Sequence, residues 1–121
     1  MFVRIVTFSL DGIDAEQYLR HAESVAEGFN RWDGLLGKVW LADPTGTRGG
    51  IYLFTDRAAA DASRTTPLFR SMADSPAFDE LTIEEFEVIA PLTAITAGSL
   101  FASHVATTSS GPRVGAANAP S

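Results

Sequence analysis

Two β-branched and aromatic segments in the middle of the sequence predict a hairpin that presents one lysine and three rings on a common face. If Trp40 lies opposite Tyr52, then Lys38 lies opposite Phe54. All four side chains then share one face, because side chains alternate between the two faces of a sheet. The other face would be purely aliphatic, with Leu35, Val39, Leu41, Ile51 and Leu53.

Rings, a phenol hydroxyl and an ammonium group on one face suit a flat, electron-rich aromatic ligand. The charge of Lys38 or the hydroxyl of Tyr52 would favour the phenolate form of a bound phenol, which can donate an electron to oxygen. The alternative is that Trp40 and Tyr52 are core or interface rings and that Lys38 extends its ammonium to solvent at a sheet edge. Both interpretations stay open here. The predicted substrate-binding residues are Lys38, Trp40, Tyr52 and Phe54.

The other polar residues identify neither a catalytic residue nor a metal site. His21 lies on the flank of an amphipathic helix, where a solvated side chain is expected, although it could act as a general base near a pocket mouth. Glu85 and Glu87 alternate with Glu84 along the last strand, so they are expected to form a solvated edge and not a cation site. The chain has no cysteine, and no set of His, Asp and Glu has metal-ligand spacing.

The positions of apolar residues predict six elements in the order β-α-β-β-α-β. The predicted strands span 2–10, 35–42, 50–55 and 82–89; a helix follows Asp14, and helical segments span 57–63 and 67–74. This order is typical of the α+β ferredoxin-like fold with a four-stranded antiparallel sheet. Strands one and three are almost entirely apolar, whereas Lys38 and the glutamates lie on strands two and four, so strands one and three are expected at the centre of the sheet.

The central strands also predict a homodimer. The helices can cover only one face of the sheet, yet the segment from Ile51 to Phe54 offers apolar side chains to both faces. An uncovered apolar face of that size is typical of an interface. Two such sheets packed face to face would form a dimeric α/β barrel.

Composition limits the function classes that fit the chain. Its 121 residues, 45% apolar and 20% charged, predict one globular domain. A net charge of −6 argues against a nucleic-acid partner. No segment approaches the roughly 20 apolar residues of a membrane span, and the first ten residues lack a signal-peptide pattern, so we expect a cytoplasmic location. Ser, Thr, Ala, Gly and Pro dominate the C-terminal part, which predicts a domain over 1–98 and a disordered tail over 99–121.

Several short motifs between residues 2 and 98 carry a resemblance to a known family. They are Ala15-Glu16-Gln17, Ala22-Glu23-Ser24, Lys38-Val39-Trp40, the run from Gly49 to Asp56 with the sequence GGIYLFTD, and Pro91-Leu92. In these motifs the chain resembles the YdhR-type putative monooxygenases of the dimeric α/β barrel superfamily. It departs from the family pattern in its Gly/Ser/Ala-rich tail and in Pro67 and Pro76, which could reshape one wall of a pocket.

The resemblance implies a homodimeric barrel and a monooxygenase that needs no metal, flavin or other cofactor. The implied substrates are small aromatic, phenolic or quinol-type molecules. A rival hypothesis is a non-catalytic ligand-binding or stress-response module on the same barrel. A pocket lined by Lys38, Trp40 and Tyr52 would favour the first, and a filled, dry core would favour the second.

Overall fold

The computed structural model describes the backbone of residues 1–105 and the side chains of residues 1–97. In chain order the elements are β1 (Phe2–Leu10), α1 (Ala15–Phe29), β2 (Leu35–Ala42), β3 (Thr47–Phe54), α2 (Arg57–Ser63), α3 (Pro67–Asp74), β4 (Phe78–Glu87) and α4 (Ala90–Val105). The predicted α+β order is confirmed as far as β4. Residues 99–105 of the predicted tail are helical, and residues 106–121 lie outside the described residues.

The four strands form one sheet in the order β2-β3-β1-β4. Each neighbouring pair is antiparallel. The two nearly apolar strands, β1 and β3, occupy the centre, and the two strands that carry charge lie at the edges. The ferredoxin-like fold and the predicted strand order are therefore confirmed.

Local signals in the sequence explain where the helices begin. The Asp14 carboxylate accepts a hydrogen bond from the backbone N–H of Gln17 at 2.8 Å, and the Gln17 side chain accepts one from the backbone N–H of Asp14 at 2.8 Å. This reciprocal capping box fixes the start of α1. The Asp56 carboxylate caps α2 by accepting a hydrogen bond from the backbone N–H of Ala59. Thr66 caps α3, whose first residue is a proline.

The core lies between the helices α1, α2 and α3 and one face of the sheet. It contains Phe2, Val6 and Phe8 of β1, Tyr18, Ala22 and Phe29 of α1, Tyr52 and Phe54 of β3, and Trp32, Ala60 and Phe69. The opposite face carries the aliphatic side chains of Val3, Ile5, Val39, Ile51 and Leu53, which alternate with core residues along their strands. Within Met1–Glu87 these aliphatic residues are half-buried or exposed.

The chain divides into two units, Met1–Glu87 and a second that begins at Val88. The second unit contains α4, which is interrupted at Ala97 by non-helical angles (φ −135°, ψ 28°). This helix is not among the predicted elements, because a proline two residues after the predicted strand 82–89 is also what the end of a strand would show. Pro91 instead occupies the first turn of α4, where a missing N–H removes no intrahelical hydrogen bond.

Candidate functional site

The pairing of β2 with β3 places the predicted site residues on one face. Lys38 lies opposite Tyr52, and Trp40 lies opposite Gly50. The predicted pairs, Trp40 with Tyr52 and Lys38 with Phe54, are therefore wrong by two residues. Because side chains alternate with a period of two, a slip of two residues keeps every side chain on its predicted face. The lysine and the three rings therefore still lie on one face of the sheet, although the predicted partner residues are wrong.

The slip is already present at the hairpin end, where Ala42 pairs with Arg48, because β3 begins at Thr47 and not at Gly50. A β-bulge near the start of β2 shifts the pairing by one further residue. Leu35 pairs with Phe54, but Gly37 pairs with Leu53, so Leu36 is an extra residue in β2. The extra residue changes the alternation on its N-terminal side. Leu35 consequently lies on the same face as Phe54, and its predicted place on the aliphatic face is wrong.

The Lys38 ammonium nitrogen lies among three aromatic rings, which we call the ring cage: Phe29, Trp40 and Tyr52. Nζ is 3.4 Å from the ring centroid of Trp40, 3.7 Å from that of Phe29 and 4.6 Å from that of Tyr52. None of the ion pairs formed by described side chains includes Lys38. The rings are thus the main groups that interact with this amine.

Burial in the ring cage changes the proton affinity of the site. Desolvation lowers the pKa of Lys38 from its ordinary value to about 7, so neutral amine and ammonium coexist at neutral pH. Burial raises the pKa of Tyr52, so its phenol stays protonated. The site therefore offers an amine that can take up a proton near pH 7, beside a neutral phenol.

Two cavities adjoin the ring cage, and Lys38, Phe29 and Trp40 line both. The larger cavity has a volume of about 200 Å³, and its further walls are Ala26, Glu27, Asn30 and Leu35. The smaller has a volume of about 30 Å³ and is further lined by Phe8, Tyr18, His21, Ala22, Val25, Gly49, Tyr52, Met72 and Phe78. An apolar cavity of about 150 Å³ can hold benzene, whereas about 30 Å³ corresponds to one water molecule. Only the larger cavity has room for an aromatic ring.

Three of the four predicted site residues come together around the lysine nitrogen. Trp40 is 39% exposed and Tyr52 is 1% exposed, with its hydroxyl 3.8 Å from the sulfur of Met72. Phe54 is fully buried, stacks on Trp32 and Tyr52, and lines neither of the two cavities. The structure thus separates an accessible pair, Lys38 and Trp40, from rings that lie deeper.

Two residues of the site are missing from the sequence-based set. Phe29 closes the ring cage from α1, and its place at the end of the apolar stripe of that helix was the available signal. Gly50 faces Trp40 across the strands, and a Cβ added there would lie 2.7 Å from the Cε of Lys38. The missing side chain at Gly50 is therefore what allows Lys38 to lie across β3 toward the rings.

His21 lies at the rim of the smaller cavity. Its side chain is exposed, as expected for the flank of α1, and its ring centroid is 6.0 Å from that of Phe78. In the neighbouring wall, burial raises the pKa of Tyr18, although Arg48, 5.8 Å from that ring, acts in the opposite direction.

A second polar cluster, around Arg4, lies apart from the ring cage. Arg4 is 1% exposed, and its guanidinium donates to Glu85 at 2.8 Å, to the hydroxyl of Ser63 at 2.8 Å and to the carbonyl of Ala60 at 2.7 Å. Arg64 also contacts Glu85, at 3.1 Å. The expectation of a solvated glutamate edge is thus wrong for Glu85. Burial raises the pKa of Glu85, but the hydrogen bonds from the two arginines outweigh it and lower the pKa.

Two further features bear on the kind of site that the chain holds. Among the described residues, no group of three or more His, Asp or Glu could hold a metal ion. No helix in the described part of the chain is both long and apolar enough to cross a bilayer.

The fold is similar to that of several solved structures. One is a protein of unknown function, NE2512, from Nitrosomonas europaea, with 18% identity, a TM-score of 0.62 and coverage of 74% of this chain and 89% of that one. A putative antibiotic biosynthesis monooxygenase from Deinococcus radiodurans has 17% identity, a TM-score of 0.63 and coverage of 73% and 92%. The cofactor-independent oxygenase SnoaB from Streptomyces nogalater has 21% identity, a TM-score of 0.59 and coverage of 73% and 92%.

The sequence itself identifies the family. A comparison with curated proteins gave no significant match. The family described as "Putative mono-oxygenase ydhR" matches residues 3–99, which include the whole ring cage and, apart from Phe2, all four strands. The chain therefore belongs to the ydhR family of putative mono-oxygenases.

Proposed function

We propose that the chain is a cofactor-independent monooxygenase of small phenolic or quinol-type substrates, bound in the larger cavity against the ring cage. The observation that carries the proposal is the Lys38 amine, held among three rings beside a cavity of about 200 Å³. Membership of the ydhR family and a fold shared with a cofactor-independent oxygenase support it.

In this proposal Lys38 is the group that moves the substrate proton. Its pKa of about 7 lets the neutral amine accept the hydroxyl proton of a bound phenol at neutral pH. The resulting ammonium then pairs with the phenolate in a poorly solvated site, where such a charge pair is strong. The phenolate is the electron-rich form that reacts with oxygen. Trp40 and Phe29 would hold the substrate ring by stacking.

The reaction balances without a further reductant. A phenol with an unsubstituted para carbon, C₆H₆O, reacts with O₂ to give the quinone C₆H₄O₂ and one water. One oxygen atom forms the new carbonyl, and the other leaves as water with the hydroxyl and para hydrogens. The substrate supplies all four electrons that reduce O₂.

The cavity volumes limit the substrate. The larger cavity suits a single aromatic ring, and a polycyclic substrate would require the walls to move. The smaller cavity, at about 30 Å³, has the size of a diatomic gas or of one water. We therefore favour single-ring phenols over the larger members of the predicted substrate class.

A second copy of this chain completes the proposal. The aliphatic face of the sheet has two rows of neighbouring side chains across its strands. One row contains Val39, Ile51 and Ile5, and the other contains Leu53, Val3 and Phe86. Val39 is 56% exposed and Phe86 is 52% exposed. Packing this face against the same face of another copy would remove that apolar surface from water.

Oxygen consumption tests the proposed activity. Single-ring phenols with a free para position are supplied to the full chain in an oxygen electrode, with and without added flavin. We expect oxygen uptake without flavin, and about a hundredfold or greater loss of rate in Lys38→Met, the range expected when a positioned acid–base group is removed. Arg20→Met, which removes an exposed cation from α1, is the matched control and should keep the wild-type rate. Equal rates in wild type and Lys38→Met would contradict the proposal.

A non-catalytic ligand-binding module is the second candidate. The complete burial of Phe54, the near-complete burial of Tyr52 and the small volume of the cavity behind Lys38 favour it, because they describe a packed interior. Binding of phenols without consumption of oxygen would identify this function.

A further inference from the structure

Lys38 is the only lysine of the chain, so the N-terminal amino group is the one other amine. The side chain runs over Gly50, where no Cβ obstructs it, and ends between Phe29, Trp40 and Tyr52. Its surroundings differ from those of an ordinary surface lysine in two ways. Described carboxylates form no ion pair with Nζ, and an open cavity of about 200 Å³ adjoins it.

We infer that Lys38 is a carbonyl-reactive amine that binds small aromatic aldehydes as an imine at the larger cavity. An amine is nucleophilic only when it is neutral, and burial among apolar groups favours the neutral form. A paired carboxylate would oppose this by stabilising the ammonium, and Glu27, the carboxylate that lines the larger cavity, forms no ion pair with Nζ. The inference does not rest on the oxygenase activity, because it involves no oxygen.

The step is a condensation. The lone pair of Nζ adds to the carbonyl carbon of the aldehyde, the carbonyl oxygen takes up a proton, and a carbinolamine forms. Loss of that hydroxyl group as water then leaves a carbon–nitrogen double bond. Overall, one aldehyde and one amine give one imine and one water, with no change in oxidation state.

The shape and polarity of the larger cavity select the ligand class. Phe29 and Trp40 provide flat walls beside the amine, and Leu35 adds an aliphatic one. Asn30 and Glu27 provide polar groups, 3.4 Å from each other, which can hydrogen-bond the water that is released. A single-ring aldehyde satisfies both requirements, because its ring can stack while its carbonyl carbon reaches Nζ.

Reductive trapping tests this inference. The full chain is incubated with limiting benzaldehyde and sodium cyanoborohydride in oxygen-free buffer, which converts each imine into a stable benzylamine. The tryptic peptide 32–48 contains Lys38 and reports the modification by mass. The reference is an Arg20→Lys background, which adds one lysine at an exposed helical position beside Glu16.

At pH 7 we expect trapping at Lys38 to be at least about tenfold faster than at the introduced lysine. At that pH an ordinary lysine is less than about 0.1% neutral, whereas an amine with a pKa near 7 is about half neutral. The rate at Lys38 should level off above about pH 8, while that of the reference continues to rise. Equal rates, or no trapping at Lys38, would overturn the inference.

Two variants identify the ring cage as the cause. Gly50→Ala places a methyl group against the flexible Cε of Lys38, so it should displace the amine and reduce trapping at Lys38 to the reference rate. The other titratable groups that line the two cavities are Tyr18, His21, Glu27 and Tyr52. His21 lines only the smaller cavity, so His21→Gln is the control and should leave the trapping profile unchanged. If Gly50→Ala, shown to be folded by circular dichroism, traps like wild type, the ring cage does not cause the reactivity and the inference fails.

Discussion

At the scale of single residues, the position of Lys38 results from two opposing effects. Three ring faces within 4.6 Å of Nζ attract a cation. Removal from water opposes the charge and lowers the pKa of Lys38 to about 7. The protonated form of Lys38 therefore destabilises the folded chain. A side chain kept only for packing would not have this cost.

This cost predicts a stability that depends on pH. The pKa of Lys38 is about 7 in the folded chain and about 10.4 in an unfolded one. Between these values the unfolded chain binds more protons, so the free energy of unfolding rises with pH. Lys38→Met removes this dependence. The free energy of unfolding of wild type should therefore rise relative to that of Lys38→Met by about 1 kcal/mol per pH unit between pH 7 and pH 9.

Urea unfolding at pH 7, 8 and 9 measures that difference. The range ends below pH 10 because burial raises the pKa of Tyr18 and Tyr52, which act in the opposite direction at higher pH. Arg20→Met has the same change in net charge at an exposed site and should show no such trend. A difference between Lys38→Met and wild type that stays constant over this range would show that Lys38 has an ordinary pKa.

The sequence predicts part of this arrangement for a clear physical reason. Alternation along β2 and β3 is enough to place Lys38 and the rings on one face, even with the wrong partner residues. Phe29 and Gly50 could not be found in the same way. The contact of Phe29 with Lys38 depends on how α1 packs on the sheet, and the role of Gly50 depends on the path of a side chain.

At the scale of elements, Arg4 joins three of them. Its guanidinium links β1 to Glu85 of β4 and to two oxygen atoms of α2. It also lies 5.0 Å from the ring centroid of Phe54 and 5.3 Å from that of Phe69. The buried charge of Arg4 is therefore compensated in the folded state by one carboxylate and two neutral oxygens.

Arg4→Met should therefore destabilise the chain strongly. The change leaves the buried hydroxyl oxygen of Ser63 without this donor. Glu85 and the Ala60 carbonyl also lose a hydrogen bond but keep their contacts with Arg64 and the Ser63 hydroxyl, so we expect a loss of about 1–3 kcal/mol. The matched control is Arg57→Met, which removes an exposed ion pair to Glu87 on the same edge strand and should cost less than about 1 kcal/mol. Denaturant unfolding at pH 7 measures both, and equal costs would contradict a structural role for Arg4.

The elements themselves were largely predictable, and the exceptions have physical causes. Two helix starts depend on residues that are close together in the sequence and can be recognised there. They are the capping box at Asp14 and Gln17 and the proline at the start of α3. The bulge at Leu36 is not local, because the sheet register decides which residue remains unpaired. α4 was missed since a proline can end a strand or begin a helix, and Pro91 does the second.

At the scale of the whole molecule, the aliphatic face of the sheet is the main surface that the sequence predicts as an interface. Within Met1–Glu87 this face is partly exposed. Its residues are ones that a monomer would be expected to replace with polar side chains. The edge strands carry Glu84 on this face, beside Ile5, so the face is apolar at its centre and charged at one margin. This distribution is typical of an interface between copies.

A charge on this face should separate the proposed dimer. Gel filtration with light scattering at micromolar concentration is expected to give twice the chain mass for wild type and the single chain mass for Val39→Arg. Val39 is 56% exposed, so the substitution should not disturb the fold. Leu19→Arg, at an apolar position on α1 with 55% exposure, is the matched control and should stay dimeric. A monomeric wild type would refute the dimer.

The central claim is that the ring cage and Lys38 bind a small phenol, and Trp40 can report this directly. Trp40 is 39% exposed and lines both cavities, whereas Trp32 is buried in the core. The measurement is therefore the titration of Trp40 fluorescence with phenols in a Trp32→Phe background. Quenching should saturate below millimolar concentration. For an acidic phenol that is ionised at pH 7, where the Lys38 ammonium is still populated, Lys38→Met should weaken binding by about 1.5–3 kcal/mol, the usual range for a hydrogen bond to a charged group. The absence of saturable quenching, or equal affinity with and without Lys38, would contradict the claim.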